Sequence, residues 1–209
     1  DGALVTQVVE SPRFSKSFDV IVCGLGTAGA PAALYCAENG LSVLGVEAIT
    51  SVGGTHTAGG VQHHYFGFPS GRHTAFDQAV RDHALRYTAT QSESRKFLLE
   101  QAMLQQQVDI QYEATVCGVY LDGNCVIGLR ILTENGILDY GAKLVMDCTA
   151  EAHVAVMAGC QTECGRKTDG LMQPYSMVSL VSANGKYRHT NIDYGRVNQY
   201  DPVAFSKAI

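Results

Sequence analysis

Asp19 to Gly54 reads DVIVCGLGTAGAPAALYCAENGLSVLGVEAITSVGG, and this stretch decides the fold. The apolar run Val20 to Cys23 meets Gly24-Leu25-Gly26-Thr27-Ala28-Gly29, and a helical pattern of small residues follows until Asn39-Gly40 stops it. A second apolar run, Leu41 to Val46, ends in Glu47. The order is strand, tight glycine turn, helix, strand, acid, which opens a parallel α/β sheet.

Each residue type has a physical job in that order. Gly24 lets the chain turn sharply out of the strand, Gly26 lets the backbone approach a pyrophosphate, and Gly29 lets helix and strand pack closely. The helix N-terminus directs N–H groups and its positive end at phosphates. Pro31 is tolerated because the first turn has no N–H partner to lose. Glu47 stands where an acid accepts hydrogen bonds from both ribose hydroxyls, and its charge repels a 2′-phosphate, which argues against NADP. The context predicts a bound dinucleotide.

The 209 residues suit one domain and part of another. With 46% hydrophobic and 17% charged residues the chain can bury a core. A net charge of −5 and no basic block argue against nucleic acid or an anionic membrane surface as the main partner. No apolar run approaches the roughly 20 residues of a membrane span. Of the seven cysteines, Cys23 and Cys36 fall on a strand and helix expected to be buried, which favours reduced thiols and a cytoplasmic setting, an upstream targeting segment aside. Cys160 and Cys164 lack zinc spacing, so no metal is expected.

In chain order, residues 1–17 read as a lead-in arm and 48–72 as a long Gly/Thr/His/Ser loop. A helix over Thr74–Thr90 follows, then a second with Ser92 as N-cap and a Leu99, Ala102, Met103 face, then a strand over Val108–Tyr112. From residue 113 to 142 the pairs Asp122-Gly123 and Asn135-Gly136 predict a three-stranded antiparallel meander. Leu144 to Met146 returns as a parallel strand, and Thr149 is placed to cap a helix over Ala150–Ala158 closed by Gly159. The expected organisation is a Rossmann-like domain over 18–165, with the meander inserted, and the start of a β-rich substrate domain over 166–209.

Together, GxGxxG with Pro31-Ala32-Ala33, Glu47, Gly53-Gly54, the meander and Asp147-Cys148-Thr149-Ala150-Glu151-Ala152 resemble the FAD-dependent oxidoreductases of the glutathione-reductase-like fold. Within them the resemblance is to members with a DATGDAD-like segment, whose Gly-Asp is Ala150-Glu151 here. Gly165-Arg166-Lys167-Thr168-Asp169-Gly170 is similar to that family's Gly-Arg-Glu-x-Asp-Gly stretch. The resemblance implies FAD, with Gly24, Gly26, Thr27, Ala28, Gly29, Glu47 and Ala48 around the ADP half. Val116 would lie near the adenine, and Thr149 and Ala150 would close over the dinucleotide.

The loop GGTHTAGG, from Gly53 and Gly54 through Thr55 and His56 to Gly60, would run beside the flavin ring. It is similar to the SHTxAAQGG loop of succinate dehydrogenase and fumarate reductase flavoproteins, whose histidine bonds covalently to flavin. His56 is therefore expected at the isoalloxazine, in contact or covalently attached. His63 and His64, which follow the loop with Tyr65, are the candidate acid/base residues, since imidazole titrates near working pH. Arg72, Arg166 and Lys167 are candidates to bind a substrate carboxylate, and Cys148 and Cys164 candidates for redox activity.

The expected function is hydride transfer from a small organic substrate to flavin. Because the chain stops at Ile209, a second polypeptide, either a partner subunit or the other fragment of a cleaved precursor, is expected to complete the active site. An NAD-dependent dehydrogenase and a non-catalytic FAD-binding subunit are the alternatives.

Overall fold

Residues 4–61, 68, 70–170, 174–183, 185–196 and 201–208 are described by the computed structural model. The chain divides into two compact units, Asp1–Gln161 and Thr162–Ile209.

The first unit is built on a six-stranded sheet. Its strands are β1 (Lys16–Cys23), β2 (Val43–Val46), β3 (Asp109–Gln111), β4 (Thr115–Asp122), β5 (Cys125–Thr133) and β6 (Gly136–Asp147). Their spatial order is β3-β2-β1-β6-β5-β4. The first four in that order run parallel and the last three antiparallel, so β6 belongs to both sets. Val20–Cys23 and Val43–Val46 are buried at every position, as central parallel strands covered on both faces must be.

Helix α1 (Gly29–Glu38) packs on one face through Ala30, Ala33 and Cys36. The hairpin of α2 (Arg72–Tyr87) and α3 (Gln91–Gln105) adds Leu99 and Met103 to the same core. The opposite face buries Phe18, Ile21, Cys23, Leu129 and Ile131 with Val154 of α4 (His153–Met157).

The Rossmann-like sheet with its antiparallel meander is present as expected, with local differences. The third meander strand and the returning parallel strand are one element, β6: residues 136–141 pair with β5 and residues 140–147 with β1. Continuing the strand pairs its backbone first with β5 and then with β1, overlapping at residues 140 and 141, with no turn to build. Helix α2 ends at Tyr87 because Thr88 takes a left-handed conformation, φ +53°. The cap of α3 is Thr90, which accepts from the Glu93 N–H at 3.1 Å, rather than Ser92. Helix α4 starts at His153 rather than Ala150, because Ala152 at φ +54° stops the helix from extending backwards.

The second unit contains an antiparallel pair, β7 (Pro174–Ala183) and β8 (Lys186–Arg196), and α5 (Pro202–Ala208). The stretch Met177–Val181 lies within β7. Ahead of it, Gly170 N–H donates to the Arg166 carbonyl at 2.7 Å, and Arg166 pairs with Asp169. Among the described residues no helix is long and apolar enough to cross a membrane.

Candidate functional site

The site is built at the carboxyl ends of β1, β2 and β6, where open α/β sheets bind ligands. Gly24 leaves β1 at φ +87°, and its N–H donates to the Val46 carbonyl at 2.8 Å. A Cβ at Gly24 would lie 2.7 Å from the Cys148 carbonyl oxygen, and one at Gly29 would overlap the Gly24 carbonyl oxygen. At Gly26 the nearest atom to a Cβ is the Gly54 Cα, 3.9 Å away. Gly24 and Gly29 are thus glycines because protein fills the space around them. Gly26 faces room that protein does not fill, which suits a pyrophosphate cradle. Helix α1 carries no acidic residue in its first turn, so its positive end is not neutralised from within.

Glu47 is buried at the end of β2. Its Oε2 accepts from the Leu25 N–H at 2.7 Å and its Oε1 from the Ile49 N–H at 3.2 Å. A carboxylate offers about four acceptor sites, so two amide bonds leave capacity for two hydroxyls. The carboxylate therefore ties the glycine turn to β2 and keeps further acceptor capacity. Leu25 is fully buried beneath this bond, and its side chain fits against Gly45, where a Cβ would meet it at 2.8 Å.

The Gly53 loop is joined to the glycine turn by its backbone. Gly53 N–H donates to the Leu25 carbonyl at 2.8 Å with Gly53 at φ +94°. Gly54, at φ +52°, packs so closely that a Cβ would lie 2.8 Å from the Gly26 Cα. A 3₁₀ turn over Gly54–His56 follows, and the buried Thr57 donates from Oγ1 to the Val52 carbonyl at 2.7 Å. Thr55 is exposed and His56 half-buried, two residues beyond the contact with Gly26.

At the end of β6 the Asp147 carboxylate organises the chain. Oδ1 accepts from Thr149 N–H at 3.0 Å and from Thr149 Oγ1 at 2.6 Å, and Oδ2 accepts from Ala155 N–H at 2.9 Å. Burial pushes this carboxyl up, but the bonds from Thr149, Ala155 and Val154 outweigh it and hold the group below its ordinary value. The N-cap position of α4 is Ala152 rather than Thr149, but Thr149 Oγ1 accepts from His153 N–H at 2.9 Å and so meets the first helical amide from three residues farther back. Ala150 is exposed beside it.

The turn, Glu47, Gly53, Gly54 and the Cys148-Thr149 backbone are thus brought to one end of the sheet. Val116 differs: it is 7% exposed, with its side chain in the core beside the Ile131 and Val154 cluster. Only its backbone remains to face a ligand. His63, His64 and Tyr65 lie outside the described residues. Asp147, Gly45 and Leu25 were not singled out as site residues, although a glycine inside a buried strand is itself a mark of close approach.

Two cavities lie away from this end. One of about 310 Å³ is lined by Phe14, Ser17, Asp19, Ser42 and Lys143, near the start of β1, and one of about 410 Å³ lies along α3 at Phe97, Glu100 and Leu104. Neither borders the glycine turn, and the geometry of the turn, not cavity size, locates the site.

Residues 19–208 match the family model described as FAD dependent oxidoreductase. Among curated proteins no sequence matches the chain. Of the solved structures it resembles, a geranylgeranyl bacteriochlorophyll reductase-like protein of Thermoplasma acidophilum is 17% identical, with a TM-score of 0.53 over 86% of this chain and 57% of that one. The THI4 protein of Thermovibrio ammonificans is 19% identical, with a TM-score of 0.50 over 72% of this chain and 67% of that one. AlpK is 15% identical, with a TM-score of 0.54 over 90% of this chain and 46% of that one. At these identities the likeness shows the fold. The chain covers 38% to 57% of the length of the first solved proteins it matches. With the family model spanning the sheet, the glycine turn and the hairpin that follows, this chain belongs to the FAD dependent oxidoreductase family.

Proposed function

We propose that this chain forms the FAD-holding part of an oxidoreductase that takes a hydride from a small organic substrate. The observation that carries the reading is the cradle itself: a Cβ at Gly26 would meet nothing nearer than the Gly54 Cα at 3.9 Å, and this room lies in the turn that leads into α1, next to the Leu25 amide held by the Glu47 carboxylate. Amides at the start of α1, from Thr27 to Gly29, would hold the pyrophosphate, and Glu47 with Ala48 the adenosine ribose. The backbone at Val116 would flank the adenine, and Thr149 and Ala150 would cover the dinucleotide. When bound, FAD supplies two-electron hydride acceptance. Thr55 and His56 would border the flavin, with His56 touching or covalently holding it, as in the loop it resembles. His63 and His64 are assigned the proton-accepting role by their order after that loop. Further polypeptide, in the same chain or another, would complete the substrate pocket.

The test is the visible spectrum of the purified protein with every polypeptide it carries, repeated on pellet and supernatant after acid precipitation. A yellow pellet that becomes a yellow supernatant in His56→Ala would establish covalent attachment at His56. Yellow supernatant from the unaltered protein would keep FAD and reduce His56 to a contact. A folded protein with no flavin absorption and no uptake of added FAD would overturn the reading.

A further inference from the structure

The backbone around Glu47 is clasped by the segment that joins β3 to β4. Glu47 N–H donates to the Gln111 carbonyl at 2.9 Å, and Ala114 N–H donates to the Glu47 carbonyl at 3.0 Å. Between these two bonds the chain passes through Tyr112 and Glu113, and Glu113 is held in the left-handed region at φ +49°. A non-glycine residue persists there only where its surroundings over-determine it.

Those surroundings include an anchor. Tyr112 packs its ring against the core formed with α1 and α3, and its hydroxyl donates to Glu100 Oε1 at 2.8 Å. Glu100 follows Leu99, whose Cδ1 would lie 3.3 Å from a Cβ at Gly53, so the anchor on α3 is continuous with the packing under the Gly53 loop. Both Tyr112 and Glu100 are half-buried. Burial first, then Glu100 and then the Glu47 charge, push the Tyr112 phenol well above its ordinary value, so it stays a protonated donor at any working pH.

We propose that the Tyr112–Glu100 bond is a positioning pair that sets Glu47 for the adenosine ribose, by fixing the clasp that holds both the N–H and the carbonyl of Glu47. The proposal rests on the ribose role given to Glu47 above. Glu100 meets no ligand in this assignment; it acts through Tyr112 and the clasp, and what it controls is recognition of the ribose hydroxyls, not pyrophosphate binding.

ADP and 2′-deoxy-ADP, titrated into the full chain prepared without flavin, separate the two effects. The unaltered chain is expected to bind ADP about tenfold more tightly than 2′-deoxy-ADP, the value of one hydrogen bond to a charged acceptor. Glu47→Ala should bring that ratio close to one. Tyr112→Phe keeps the ring and removes the donor, and should reduce the ratio to about threefold or less, as should Glu100→Leu. Glu100→Gln keeps an oxygen that accepts from Tyr112, and should restore the ratio to that of the unaltered chain. A merely structural role would weaken both nucleotides in parallel and leave the ratio in place, and that result would overturn the proposal. A ratio near one in the unaltered chain would instead overturn the ribose role of Glu47, and the positioning pair with it.

Discussion

Gly26→Ala separates folding from cofactor binding. Its Cβ would meet no atom nearer than the Gly54 Cα at 3.9 Å, an ordinary contact, and Gly26 is not among the glycines with positive φ. The methyl group therefore costs the protein little, and lost flexibility in the unfolded chain offsets part of that cost, about 0.4–1 kcal/mol. The melting temperature of the flavin-free protein should move by no more than about 3 °C. The same methyl stands in the room assigned to the pyrophosphate, and backing the anion away from the turn removes one or two hydrogen bonds to charge, each about 1.5–3 kcal/mol. FAD affinity should fall between about tenfold and a thousandfold or more. Gly29→Ala is the control: its Cβ overlaps the Gly24 carbonyl oxygen, so overpacking of about 1–3 kcal/mol or more should lower the melting temperature by several degrees. Fluorescence titration with FAD and a thermal melt of each flavin-free variant make the comparison. A Gly26→Ala protein that binds FAD as the unaltered chain does would refute the cradle, and a Gly29→Ala protein of unchanged stability would refute the packing argument.

Asp77 and Arg95 join α2 to α3 through a 2.7 Å ion pair in which Arg95 is 8% exposed. Asp77→Asn should cost about 2 kcal/mol, below the usual range for a buried pair because the Asp77 end is partly solvated, and lower the melting temperature by about 4–8 °C. Burial raises this carboxyl, but Arg95, His73 and Arg81 outweigh it and leave the folded value below the unfolded one. The contribution is therefore full at neutral pH and lost as pH falls through the folded value, so melts of variant and unaltered chain should converge in acid; a gap that persists there would sink the assignment. Thiol labelling should mark Cys117, Cys125, Cys160 and Cys164 quickly, and Cys23 and Cys36 only on unfolding. Cys23 in particular is pushed up to about 12, by burial and then by Asp147 and Cys148, and rapid native-state labelling of it, read by mass spectrometry, would contradict its place in the core.

The parallel sheet and glycine turn were legible because their signals are local: an apolar run, three glycines at fixed spacing and an acid at the next strand end. Thr90 was equally legible, since Thr90-Gln91-Ser92-Glu93 is a capping-box spacing, and the choice of Ser92 missed the glutamate three residues after Thr90. The late start of α4 was not legible. Nothing local marks Ala152 as left-handed; the backbone there is shaped around the Asp147 carboxylate, which reaches eight residues ahead to Ala155. Of the separating stretch Glu134-Asn135-Gly136 the first two residues form the turn, and Gly136 is already paired with Thr133, so the hairpin was legible and only its last boundary residue differed. Glu100 on α3 and Tyr112 in the segment after β3 lie twelve residues apart and carry no shared pattern in sequence. The side-chain burial of Val116 follows from strand alternation against the β5 ladder, which fixes which face it takes.

β6 also acts as a ruler. At about 3.3 Å per residue its twelve residues set the distance between the Glu134–Asn135 turn and Asp147 at roughly 40 Å. The strand passes from β5 to β1 at residues 140–141, so a residue gained or lost beyond that point, unless a bulge takes it up, reverses the faces of the side chains that follow and carries Asp147, and the backbone of Cys148 and Thr149, out of register with β1. Length changes in the Gly123–Asn124 turn, which joins two antiparallel strands at the sheet margin, leave that ruler intact. The hairpin tip at Asn135 is thus a remote and exposed handle on the same rod that ends at the cradle, suited to a tag or spectroscopic label.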